Sequence, residues 1–233
     1  MPYILISYGF DIALANHVQI GGSISGLMCG IMLKHHGYTV TILEKEDLLS
    51  RQGFDAGISI RDEVISFLKK HDRVKRDITI TCPPGTLISV DGKPVAQRGQ
   101  TMNLTSWPLL ISVLRANFDG TTSKAVPAAP MPEDSDGKAA YMSKTRVMGI
   151  EEVGDQVQIE YEDLDSKKTD KISASLIIVA DGSNSSTRGK LIPDVKRTYA
   201  GYMLWRGTTS EKAVDSELNE LYFSFHKETY SLK

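Results

Sequence analysis

The sequence predicts an α/β fold in which a parallel sheet is joined to an antiparallel β-meander, and three observations predict it. First, a short apolar strand runs into a glycine-rich turn, then a segment with helix-spaced apolar residues, then a second β-branched strand. Second, three alternating segments separated by polar turns come later in the chain. Third, the continuous apolar run Leu176, Ile177, Ile178 and Val179 follows them and stops at Asp181 and Gly182. A strand-helix-strand crossover joins parallel strands, whereas tight turns between alternating segments join antiparallel ones.

Taken in order, residues 17–20 form the first strand and lead into Gly21, Gly22 and Ser23. Ile24, Leu27, Met28, Ile31, Met32 and Leu33 then recur at helical spacing, and Gly37 closes that helix. Residues 38–43 alternate β-branched and apolar side chains up to Glu44. Residues 61–71 read as an amphipathic helix with Val64, Ile65, Phe67 and Leu68 inward, and residues 106–118 as another with Leu109, Leu110, Val113 and Leu114 inward. Between them, residues 86–90 followed by Asp91 and Gly92 read as a β-hairpin. Residues 120–138 are rich in Pro, Ala, Ser and Asp, and their length suggests an inserted loop rather than a core element. Residues 145–151, 156–161 and 171–173 make the meander, with turns at Gly154, Asp155 and at Ser166, Lys167. From about Tyr199 an aromatic strand pattern opens what could be a second domain.

Of the 233 residues, 41% are hydrophobic and 24% charged, as in soluble globular proteins. A net charge of -2 gives no basic excess to draw the chain to nucleic acid or an anionic membrane. Cys29 and Cys82 make no CxxC pair, and no two of the five histidines stand at the i, i+4 spacing of a helical metal site. No disulfide framework and no metal are therefore expected. The first twenty residues lack a basic leader and are interrupted by Asp11, which argues against a signal peptide or membrane span. A cytoplasmic setting follows by default.

Two constellations carry chemistry. In the first, Gly21, Gly22, Ser23, Ile24, Ser25 and Gly26 sit between strand and helix. In such a turn one glycine permits a sharp bend, a second admits a pyrophosphate to the backbone, and a third lets helix and strand pack closely. Ser23 occupies the second of these positions, where its small side chain still allows approach. Glu44, about twenty residues on, is placed to accept hydrogen bonds from an adenosine ribose. In the second, Asp181 and Gly182 open the segment DGSNSSTR directly after a buried strand, where an α/β sheet presents groups to ligands. The same segment also reads as a polar turn capping a helix through Ser183 or Ser185.

GGSISGL with Glu44, RANFDG around Arg115, IIVADGSNSSTR and YAGYMLWRG occur in an order and spacing that resemble the FAD-dependent aromatic-ring monooxygenases of the para-hydroxybenzoate hydroxylase class. Within that class the likeness is to the 2,6-dihydroxypyridine 3-monooxygenase branch, over roughly Gln19 to Gly207. The resemblance implies a Rossmann-like FAD-binding domain over residues 1–198, with 72–105 a β insertion on the substrate side, and a partial substrate-binding domain over 199–233. It implies FAD as cofactor, NAD(P)H as co-substrate, a small aromatic substrate, and a homodimer as one possible assembly. By resemblance, Gly21, Gly22, Ser23 and Gly26 line the pyrophosphate, and Glu44 holds the ribose. Arg51 and Arg115 approach the diphosphate and ribose, Val147 lies beside the adenine, and Asp181 and Gly182 contact the ribityl side. Arg51 reads equally as an exposed loop charge, and Val147 as a buried strand residue.

The family's later Gly-Asp-Ala-Ala-His type segment has no counterpart here, and Gln19 puts a polar residue into a central strand. These departures predict a truncated form that retains FAD weakly. Two alternatives stay open: a non-catalytic dinucleotide-binding fragment, and an NAD(P)-dependent dehydrogenase. The latter calls for Tyr-x-x-x-Lys, and Tyr141 with Lys144 is one residue short of that spacing.

Overall fold

A parallel strand that is apolar on both faces must be covered on both faces, and the central strands of this chain meet that demand. The computed structural model describes residues 4–7, 16–47, 57–82, 84–88, 91, 93–98 and 100–202. The elements run β1 (Ile4–Ser7), β2 (Asn16–Ile20), α1 (Ile24–His35), β3 (Thr39–Leu43), β4 (Gly57–Ile60), α2 (Asp62–His71), β5 (Ile80–Cys82), β6 (Gly85–Ile88), β7 (Pro94–Arg98), β8 (Met102–Ser106), α3 (Trp107–Asp119), β9 (Ala139–Met142), β10 (Thr145–Val153), β11 (Gln156–Asp163), β12 (Thr169–Ala174), β13 (Leu176–Val179) and α4 (Ser186–Leu191).

The main sheet has the order β1-β13-β2-β3-β9. Its four inner and right-hand strands pair in parallel, and β1 closes the other edge antiparallel to β13. Side-chain alternation divides the core in two. Val40 and Ile42 face the helical layer, where Leu27 and Ile31 of α1 meet Leu110, Val113, Leu114 and Phe118 of α3. Val18, Ile20, Leu43, Ile177 and Val179 face the meander and pack on Val157 and Ile159. The predicted strand-helix-strand unit, the two later helices, the hairpin at β6 and β7 and the meander are all present. Strands β4, β8 and β5 form a separate small sheet, as do β6 and β7. Of residues 199–233, only 199–202 lie among those described.

Residues 120–138 are more than an insertion. Ser106 caps α3 by accepting from Leu109 N–H at 3.3 Å, and Gly120 ends it in the left-handed region at φ 75°. The chain then lays Val126 into the helical core, with Ala125 and Ala129 against it. Arg73 grips Asp136 with two hydrogen bonds, at 2.6 and 3.0 Å, and Lys34 stands 3.8 Å away. The segment is thus the connection that delivers β9 to the edge of the parallel sheet beside β3.

Gln19 is fully buried, and both its side-chain nitrogen and oxygen lack a hydrogen-bond partner. It faces α1, where a methyl group on Gly26 would stand 2.6 Å from its amide nitrogen. Desolvated amide groups without partners are costly, so Gln19→Met, which keeps the unbranched shape, is expected to stabilise the fold by about 1–3 kcal/mol. Urea unfolding of the two proteins measures this; an unchanged or lower midpoint contradicts it.

Candidate functional site

The carboxyl ends of β2, β3 and β13 meet at one place. β2 is flanked by β3 on one side and β13 on the other. The chain therefore leaves β2 in one direction and returns by way of β13 in the other, which is the switch point at which open α/β sheets bind ligands. A cleft of about 420 Å³ opens there, lined among others by Gly21, Ser23, Glu44, Val147, Asp181 and Gly182.

The glycine turn forms one wall. Gly21 N–H donates to the Leu43 carbonyl at 2.9 Å, and Gly21 takes φ 96°, a left-handed conformation that strains any other residue. A methyl group there would lie 2.4 Å from the Ala180 oxygen and 2.9 Å from the Asp181 Cα, so the turn and the acidic segment are in backbone contact. At Gly26 a methyl group would meet the Gly21 oxygen at 2.0 Å, which is the close helix-strand approach expected of the last glycine. No side chain caps the start of α1, and Ser23 takes extended geometry there. The first-turn amides are therefore not taken up by a side-chain cap.

Glu44 forms the opposite lip, with its residue only 7% exposed. Its Oε2 accepts the Gly22 N–H at 2.7 Å, and its Oε1 accepts the Glu46 N–H at 2.8 Å. These bonds fix the carboxylate at the mouth of the turn, and each oxygen retains a lone pair to accept a further hydrogen bond. Thr145 N–H donates to the Glu44 carbonyl at 2.9 Å, which brings the start of β10 alongside. Val147 of β10 stands at the cleft, immediately before an irregularity in the β10-β11 ladder between Val147 and Gly149. Bulges re-aim neighbouring side chains at the rims of sites.

The third wall is the segment after β13. Ser185 accepts the Arg188 N–H at 2.8 Å and caps α4, so the polar-turn reading holds beside the cleft-lining one. Arg188 reaches back to the carbonyls of Gly182 at 3.3 Å and Ser183 at 2.6 Å, tying the acidic tip to the helix that follows.

No family model matches the chain. In sequence it is 28% identical over 216 residues to 2,6-dihydroxypyridine 3-monooxygenase of Paenarthrobacter nicotinovorans, covering 91% of this chain and 47% of that protein. In structure it is similar to 2,6-dihydroxypyridine-3-hydroxylase from Arthrobacter nicotinovorans, with a TM-score of 0.60 and 23% identity over 82% of this chain and 42% of that one. The chain shares the fold of this solved hydroxylase. The same fold is found in p-nitrophenol 4-monooxygenase PnpA from Pseudomonas putida DLL-E4, with a TM-score of 0.56 and 18% identity over 76% of this chain and 43% of that one. The chain spans less than half the length of each of these proteins.

Of the residues singled out from sequence, Gly21, Ser23, Glu44, Val147, Asp181 and Gly182 converge on the cleft. Gly22 and Gly26 stand directly behind it, against Tyr141 and against Gly21 with Gln19. Arg115 is not among the lining residues: its guanidinium lies 3.7 Å above the Tyr141 ring and pairs with Asp119 at 2.7 Å. Arg51 lies outside the described residues. Sequence reasoning missed Tyr141, whose hydroxyl donates to the Gly22 carbonyl at 3.0 Å. Its only sequence signal is a tyrosine in a short run before the meander. Among the described residues no cluster of three or more His, Cys, Asp or Glu could hold a metal, and no helix is long and apolar enough to cross a membrane.

Proposed function

We propose that this chain binds FAD in the cleft and serves as the dinucleotide-binding part of an NAD(P)H-dependent monooxygenase that hydroxylates a small aromatic or heteroaromatic substrate. The observation that carries this reading is that the glycine turn and the segment at Asp181, 160 residues apart, line one groove and touch through Gly21 and Ala180. An extended dinucleotide needs two such ends. The residues present fit it: the uncapped start of α1 with Gly21, Ser23 and Gly26 suits the pyrophosphate, and Glu44 suits the adenosine ribose. Val147 takes the adenine side, and Asp181 with Gly182 the ribityl side. Arg51 is proposed to approach the diphosphate, and Arg115 to act from behind Tyr141. FAD, when bound, would supply hydride acceptance from NAD(P)H and oxygen activation, while the protein would bind and orient it and exclude water. No paired acid and base or nucleophile triad is required of the chain.

An equilibrium titration tests the reading, with flavin fluorescence followed as the protein is added. Saturable one-to-one binding is expected, weak enough that FAD is lost on gel filtration. NAD(P)H oxidation with a phenolic substrate separates an active enzyme from a fragment that only binds the dinucleotide.

A further inference from the structure

Tyr141 is the residue of β9 that reaches the glycine turn. Its strand is parallel to β3 and pairs Tyr141 with Ile42, two residues short of Glu44. Both backbone groups of Gly22 are held by side chains: Glu44 Oε2 accepts its N–H, and Tyr141 Oη donates to its carbonyl. A methyl group at Gly22 would stand 2.4 Å from that hydroxyl, so the ring and the turn are in direct contact. Among the described residues there is no cis peptide. In a trans peptide the Gly22 carbonyl and the Ser23 N–H point in opposite directions. The Gly22 carbonyl is drawn to Tyr141, which does not line the cleft, and Ser23 is a lining residue where Gly22 is not.

We propose that Tyr141 is a positioning residue for the pyrophosphate: by holding the Gly22 carbonyl it aims the Ser23 amide at the anion, and Arg115 clamps the tyrosine from its far face. This rests on the dinucleotide reading above. Burial, then the charge of Glu44, hold the phenol well above its ordinary range, so it remains a donor at any working pH. Arg115 is itself fixed, its Nη2 donating to Asp119 at 2.7 Å and to Thr121 at 3.0 Å, so the guanidinium is a stacked plate with a set orientation. The arginine acts on the ligand through the tyrosine.

The test is Tyr141→Phe, which keeps the ring and removes the hydroxyl, with binding of ADP, FAD and adenosine measured by calorimetry on the full chain. The inference predicts about fivefold weaker binding of ADP and FAD and unchanged binding of adenosine, because adenosine has no phosphate to meet the Ser23 amide. A purely structural role would shift all three ligands together, and that result overturns the inference. So does equal ADP affinity in the two proteins. If the unmodified chain binds neither ADP nor FAD, the dinucleotide reading itself fails and the role of Tyr141 falls with it. Thermal unfolding of Tyr141→Phe confirms that the protein compared is folded, and Arg115→Lys, which loses the flat stacking group, is expected to show the same selective loss.

Discussion

Gly21→Ala is expected to destabilise the protein by roughly 3–5 kcal/mol and to weaken ADP and FAD binding at least tenfold in whatever fraction stays folded. Two costs coincide at this residue. The backbone holds φ 96°, which a side chain makes unfavourable, and the added methyl would overlap the Ala180 carbonyl at 2.4 Å. Neither neighbour can retreat freely, since Gly21 N–H is bonded to Leu43 and Ala180 N–H to Ile20 at 2.7 Å. Relief requires prising the end of β13 from β2, and with it the two walls of the cleft. Gly182→Ala separates the two costs: it has φ 83° but nothing within 4 Å, so only the backbone term of about 1–2 kcal/mol remains. Chemical unfolding of the three proteins, with ADP titration at a temperature where each is folded, measures both effects.

Asp136→Ala is expected to cost about 2–3 kcal/mol, because it removes the buried partner of Arg73 and leaves the guanidinium only the exposed Glu133 at 3.1 Å. The Asp136 side chain is 1% exposed and takes two hydrogen bonds from Arg73, with Lys34 close by. Around this pair, Asn117 of α3 donates to Asp72 at 2.7 Å and accepts the Arg73 N–H at 2.7 Å, and Lys34 of α1 donates to the Asn117 carbonyl at 2.9 Å. Three helices and the connection to β9 are thus held at one polar knot. Burial works against ionisation of Asp136, but the Arg73 hydrogen bonds and charge outweigh it and hold the carboxyl below its ordinary range. A depressed carboxyl contributes stability above its unfolded pKa and loses it as pH falls through the folded value, here below about pH 4. His35 adds an earlier decline. Burial, then the charge of Arg73, push its pKa down from 6.5 to about 4, so the unfolded chain takes up the proton first and stability falls as pH drops through that interval. Urea midpoints across pH should therefore fall in two stages in the unmodified protein. In Asp136→Ala the upper stage remains and the lower one is lost.

The strand-turn-helix unit, Glu44 and the Asp181 tip were legible in the sequence because each is local: glycines at a bend, a carboxylate at a strand end, an apolar run stopping at Asp-Gly. β9 was not, because Ala139 to Met142 carry little intrinsic strand preference and become a strand only by pairing with β3, almost a hundred residues earlier. Tyr141 was hidden with it, since its contact with Gly22 spans 119 residues. Residues 120–138 looked like an insertion because their anchors, Asp136 and Val126, find their partners only in the folded state. Arg115 was singled out from its motif, but a single spacing could not show that its guanidinium packs on the Tyr141 ring, outside the cleft lining. Gln19 was recognised as a misfit, and the folded chain buries it unpaired.

The central claim is that the glycine turn and the Asp181 segment hold opposite parts of one dinucleotide. Titrating FAD and ADP into the unmodified chain, Glu44→Gln and Asp181→Ala tests it most directly, because ADP lacks the flavin half of the ligand. Glu44→Gln should weaken FAD and ADP alike, while Asp181→Ala should weaken FAD and leave ADP unchanged. Equal effects of Asp181→Ala on both ligands, or no saturable binding of either by the unmodified chain, would contradict it.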